Sequence, residues 1–229
     1  MAPTRARMNK MFLWACRVVT WSSIALLFVL LFHIVKQGMD WLDWEFLTNY
    51  PSRKPEKAGI FTALAGSAYV MVLTAAFAVP FGIATAIYLE EYAPRKSYLI
   101  RFIKLNIANL AGMPSIIYGL LGLTLFVRVM DLDRSILAGS LTLGLLILPV
   151  IIIASQEAIR AVPKTVRMAG FAMGARRYQV VLWQVLPAAM PGVMTGIILA
   201  ISRAVGETAP LIVVGALSYV AFLPENAMD

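Results

Sequence analysis

Residues 135–156 read SILAGSLTLGLLILPVIIIASQ, an uncharged run from Ser135 to Gln156. A bilayer core about 30 Å thick is crossed by roughly 20 apolar residues in a helix, so this run is long enough to span one. Outward from it lie three further uncharged runs, Val18–Val35, Ala58–Leu89 and Leu105–Val127. A fifth apolar stretch, Tyr178–Pro224, is interrupted by Arg203 and Glu207 and reads as one tilted span of about Ala188–Val214. The expectation is an all-α, polytopic membrane protein with five transmembrane helices in this chain.

Composition points the same way. Of 229 residues, 60% are hydrophobic and 14% are charged, whereas soluble domains carry about 25% charged residues. This excludes a disordered chain, a nucleic-acid-binding tail and a soluble enzyme. The net charge of +8 reflects loops on one face of a membrane rather than nucleic acid. The single Cys16 cannot form an intrachain disulfide, and with the single His33 it cannot build a metal site. Cys16 reads as a packing residue near a membrane face and His33 as an interfacial residue.

Basic residues orient the spans. With the N-terminus in the cytoplasm, thirteen Lys and Arg fall on inner segments and six on outer ones. Residues 1–17 then form a cytoplasmic N-terminus, residues 18–229 a transmembrane domain, and residues 155–187 its main cytoplasmic loop. The tail Glu225–Asp229 falls outside. Arg5, Arg7, Lys10 and Arg17 before an apolar run resemble a signal peptide, but no small-x-small cleavage site follows, so an uncleaved first helix is expected. Trp41 and Trp44 in the outer segment are suited to the headgroup level. Pro80, Pro114 and Pro149 are expected to kink their helices.

The cytoplasmic loop is the most informative soluble stretch. Pro163 suits the first turn of a helix and Gly174 the position just past its end. Between them Lys164–Met173 makes about three turns, and a second short helix is expected over Ala175–Val185. Such a knob can dock in a groove of another protein, or lie as an amphipathic loop on anionic lipid. The residues alone leave both readings open.

Here the sequence resembles a family. Gly174, nine residues, then Gln184-Val185-Leu186-Pro187 is similar to the Glu-Ala-Ala loop of ABC importer permeases, with Met168-Ala169-Gly170 standing at Glu-Ala-Ala. Met168 replaces the acid and Gln184 an isoleucine. The segments Phe46-Leu47-Thr48, Leu89-Glu90-Glu91-Tyr92, Pro114-Ser115-Ile116-Ile117-Tyr118-Gly119-Leu120 and Arg203-Ala204-Val205-Gly206-Glu207-Thr208-Ala209-Pro210 extend the likeness. Together they resemble the PstA-type permease subunits of bacterial phosphate ABC importers over nearly the whole chain from Trp41.

The resemblance implies a type I ABC importer permease bundle in the bacterial inner membrane. That family has six helices, so this chain is expected to lack the last. It implies inorganic phosphate as substrate, a second homologous permease subunit, an extracytoplasmic phosphate-binding protein and a separate ATPase dimer. Lys164, Arg167, Met168, Ala169, Gly170, Gly174 and Arg176 would form the loop gripped by that ATPase. This chain carries no Gly-x-x-x-x-Gly-Lys-Ser/Thr cradle, so ATP and magnesium belong to the partner. No cofactor and no enzymatic activity are expected of the chain itself.

Arg203 and Glu207 are the candidate substrate-pathway residues. An isolated charge at mid-membrane costs roughly 2.5–3.5 kcal/mol, and such residues mark pathways by default. Their spacing puts them on one helix face, but Arg before Glu is the less favourable order, so intrahelical pairing is not expected to account for both. Pro210 cannot donate to the carbonyl of Gly206, which predicts a helix break beside the pair. Thr208 is a further candidate donor, though a bond to its own helix backbone is the simpler expectation. Gly192, Gly196 and Ala200 form a small-residue stripe suited to close helix packing. Two rivals remain on sequence: a permease for another oxyanion such as molybdate or sulfate, and a membrane sensor or scaffold without transport.

Overall fold

The computed structural model describes residues 2–54, 57–94, 96–215, 226 and 228. Pro55-Glu56, Arg95 and the tail Glu225–Asp229, apart from Asn226 and Met228, lie outside the described residues. Among the described residues all regular structure is helical. The chain forms two compact units, Met1–Phe61 and Thr62–Asp229.

The first unit is dominated by α1, an uninterrupted helix Ala2–Gly38 that carries both the basic N-terminal segment and the first apolar run. Its side chains are exposed from Arg7 to Gln37. Its hydroxyls turn back on the backbone: Thr20 donates to Cys16 O (2.8 Å) and Ser23 to Val19 O (2.9 Å). That satisfies polar groups inside an apolar helix. Cys16 is exposed rather than packed. His33 has a partner one turn on, with Gln37 Nε2 3.1 Å from His33 Nε2. Trp41 ends a 3₁₀ turn and Trp44 opens the short helix α2 (Trp44–Thr48), both exposed as an interfacial anchor requires.

The second unit is a bundle around α6 (Ile136–Ala161), which is buried along most of its length. Ser135 caps it by accepting from Ala138 N at 3.2 Å. Helix α3 (Phe61–Ile87) continues as a π-helical turn, Tyr88–Tyr92. It lies on α6 with Gly82 under Ile151 and Phe77 over Gly144, and buried Thr74 donates to Ser140 O at 3.1 Å. Such pairing of small and large residues replaces the hydrophobic drive that lipid does not supply. Pro80 and Pro149 lie inside helices that continue through them.

The third apolar run is not a straight helix. It divides into α4 (Tyr98–Ala111) and α5 (Ser115–Gly122), the latter extended by a π-helical stretch to Val129. The two arms meet at 105° across Gly112-Met113-Pro114. Pro114 disfavours helical backbone at Met113, which ends α4 there. Among the described residues four helices are long and apolar enough to cross a membrane, or up to five if the bent pair makes one span.

The loop after α6 folds as expected at its start. Pro163 precedes α7 (Lys164–Ala172), and Gly174 turns the chain with φ +77°. The second short helix is not separate. It begins as α8 (Arg177–Val180), passes through a π-helical turn Val181–Val185, and runs on into α9 (Leu186–Val205) as one long helix. The fifth span, expected to run unbroken to Val214, stops at Val205 and resumes as α10 (Ala209–Val214).

Candidate functional site

Two groups of candidate residues lie well apart along α8 and α9. The first is the break between α9 and α10. Gly206 caps α9, with its N–H on Arg203 O (3.1 Å) and that of Glu207 on Ala204 O (3.2 Å). Pro210 sits in the first turn of α10, where a missing N–H costs nothing. The proline that ends one helix therefore starts the next.

The depth of this break follows from helix register. α6 and α9 run antiparallel, with Gly192 on Ala158 and Gly196 on Ala154. A continuation of that register carries Arg203 to the level of Ile147, near the middle of α6. The small-residue stripe thus packs α9 on the chain's own α6. The break is roofed by α5, where Gly119 lies so close that a Cβ there would sit 2.9 Å from Pro210 Cα. Two sequence blocks distant in the chain, Pro114–Leu120 and Arg203–Pro210, therefore meet.

Arg203 Nε donates to Glu207 Oε1 at 3.2 Å, so the two do pair within one helix turn, against the sequence expectation. The fraying of α9 at Gly206 explains this, because Glu207 has already left the helical path. The guanidinium makes no second bond among the described residues. Its two terminal nitrogens remain available, and the side chain is 42% exposed. Thr208 caps α10, and among the described residues its exposed hydroxyl makes no bond, to its own backbone or elsewhere, so it too is available. One guanidinium edge, one hydroxyl and one carboxylate thus share a helix break.

The second group is the loop knob. Lys164, Met168, Ala169, Gly174 and Arg176 are exposed, together with Phe171 and Met173. Arg167 is not part of that face. It donates through Nε (2.9 Å) and Nη2 (2.6 Å) to Glu91 Oε1, through Nη1 to Val162 O (2.7 Å) and through Nη2 to Ile159 O (2.9 Å). Those carbonyls lie at the C-terminal end of α6, where helix carbonyls run short of backbone donors; Ile159 O also accepts from Val162 N (3.3 Å). Glu90, beside Glu91, binds Lys104 (2.6 Å) and Arg160 (2.9 Å) instead. The sequence reading missed Glu91 as a partner of the knob, and with it the pairing of the neighbouring Glu90. Their signal was present: two adjacent acids closing an apolar run and facing segments that are otherwise basic.

Gly170 explains one departure from the loop pattern. A Cβ there would stand 2.5 Å from Gln184 Oε1 and 2.8 Å from Val180 Cγ2. Glycine at 170 makes the room that the longer Gln184 occupies. We expect Gly170→Ala to lower the unfolding free energy by about 1–3 kcal/mol through overpacking. The added change Gln184→Ile should restore most of it, which thermal unfolding in detergent measures.

Residues 78–229, more than half of the chain, match the sequence profile of binding-protein-dependent transport system inner membrane components. The chain is 34% identical over 194 residues to the Probable ABC transporter permease protein YqgI of Bacillus subtilis, covering 85% of this chain and 66% of that one. It is 38% identical over 161 residues to Phosphate transport system permease protein PstA 1 of Mycobacterium tuberculosis, covering 70% and 52%. It is 34% identical over 184 residues to the PstA of Yersinia pestis, covering 80% and 62%. The chain spans about half to two thirds of the length of these relatives.

Proposed function

The chain belongs to the family of binding-protein-dependent transport system inner membrane components, and from that premise we propose that it is a permease subunit of an ATP-driven importer of inorganic phosphate. Arg203 carries the reading. Its Nε is held by Glu207 while its terminal nitrogens bond no other described residue, in a helix break at mid-bundle depth. An Arg fork matches two phosphate oxygens, and a dry passage strengthens the attraction. Glu207 limits that attraction so that the ion can leave. Thr208 adds a neutral donor.

The exposed face of the knob, Met168, Phe171 and Met173, is an apolar patch with the basic Lys164 and Arg176 nearby. It suits the groove of a separate ATPase subunit, which holds ATP and magnesium. A second permease subunit completes the passage, and an extracytoplasmic binding protein delivers the anion. The N-terminus and the knob then face the cytoplasm, and the membrane is the bacterial inner membrane. Phosphate relatives favour this substrate over molybdate or sulfate, since PstA proteins are named for phosphate transport.

Radiolabelled phosphate uptake tests the proposal in cells lacking the gene. Wild-type complementation should restore uptake, and no dependence on the gene would refute the phosphate reading. A carboxylate can accept a hydrogen bond from protonated phosphate, which sulfate at neutral pH cannot donate. Glu207→Gln is therefore expected to lower discrimination against sulfate by about tenfold, the worth of roughly 1.4 kcal/mol. Competition by sulfate in the same uptake assay measures it.

A further inference from the structure

Besides its chain continuity with α6 and, through α8, with α9, the knob is fastened at a third place. It is the end of α3. Glu91 takes the Arg167 side chain through two bonds to one carboxylate oxygen. Its backbone carbonyl also accepts from Arg177, the first residue of α8. The Arg177 guanidinium lies over the ring of Tyr92, 5.2 Å from its centre. One residue of the π-helical turn that continues α3 therefore holds both limbs of the knob, before and after the Gly174 turn. The pair is mostly enclosed, with Arg167 20% and Glu91 11% exposed, so water screens it little.

Glu90 faces a different set of groups, Lys104 of α4 and Arg160 of α6. Consecutive side chains on a helix do not face the same way, and in the turn Tyr88–Tyr92 the two neighbouring carboxylates reach separate partners. Beyond the turn, α3 is locked to α6 through Gly82 and Ile151, and α6 to α9 through Gly196 and Ala154. A displacement of the knob thus has a packed route through α3 and α6 to the helix that carries Arg203, beside the direct one along α8 and α9.

We propose that Glu91 is a positioning residue for energy coupling: it bolts the knob to α3, so that the knob and the transmembrane helices move as one body. This deepens the permease reading and rests on it. Removing the carboxylate charge leaves the docking face intact but loosens the bolt, so ATP is hydrolysed without moving the anion.

The test uses the whole importer, with its ATPase and second permease subunit, in proteoliposomes. Phosphate moved per ATP hydrolysed is measured for wild type, Glu91→Gln, Glu91→Asp and Glu90→Gln. Glu91→Gln should keep the complex assembled and hydrolysing ATP while the ratio falls about tenfold. Glu91→Asp should fall in between, and Glu90→Gln should leave the ratio near wild type. An unchanged ratio in Glu91→Gln overturns the proposal, as does an equal fall in both glutamine variants. Should Glu91→Gln fail to assemble, Arg167→Lys decides: it keeps the charge but gives up the forked contacts, and a normal ratio there refutes the bolt. If wild type moves another oxyanion in place of phosphate, the substrate reading fails, and the ratio taken with that anion still decides the coupling role.

Discussion

Cells whose importer carries Arg203→Ala are expected to take up phosphate about a hundredfold more slowly than wild type, with the protein present at normal level in the membrane. Loss of one preorganised donor facing a desolvated oxyanion typically costs two to three orders of magnitude, roughly 10²–10³. The effect falls on passage rather than folding, because Arg203 bonds only Glu207 among the described residues and is 42% exposed. The alanine would leave Glu207 as an unpaired carboxylate in the anion's path, adding repulsion to the loss of attraction. Arg203→Lys should recover part of the rate, since it keeps the charge without the planar fork. Radiolabelled uptake with immunoblotting of membranes measures both. Wild-type uptake by Arg203→Ala would remove this residue from the pathway.

Gly196→Val should have the largest effect on stability. A Cβ on Gly196 would collide with the Ala154 side chain, which is already the smallest side chain that has a Cβ. Neither partner can rotate away, so α9 must separate from α6. Overpacking of this kind costs about 3 kcal/mol. The displacement also disturbs the register that sets the depth of Arg203. We expect a clearly lower midpoint of thermal unfolding in detergent and little uptake. Gly196→Ala is the milder control, and Ala154→Gly combined with it should restore stability. A midpoint for Gly196→Val equal to wild type would contradict the α6–α9 packing.

The apolar runs were legible because crossing a bilayer fixes both length and composition. Ser135–Gln156 lies within the helix it announced, with Ser135 as its cap. Pro163 and Gly174 were legible because each has a backbone preference that acts locally. The break at Gly206 was readable from Pro210 for the same reason. The 105° bend was hidden, since hydropathy has no direction and Leu105–Val127 counts the same whether straight or folded. The pairing of Arg203 with Glu207 was misjudged because propensity rules assume a regular helix at both positions. The role of Arg167 was misplaced from loop face to anchor because its partner Glu91 lies 76 residues away. No local rule reaches across that separation.

The bend at Gly112–Pro114 also bears on how the protein enters its membrane. The arm Ser115–Val129 is about 22 Å long at 1.5 Å per residue, short of the roughly 30 Å hydrocarbon layer. α4 carries Arg101, Lys104 and two asparagines, Asn106 and Asn109. Neither arm is by itself long and apolar enough to cross the bilayer. Gly122 packs the short arm against Thr142 of α6, a surface that a lone arm lacks. We expect the arm to depend on α6 for its place in the bilayer, so that a chain ending before Ser135 should hold Ser115–Val129 in the membrane less firmly than the full chain does.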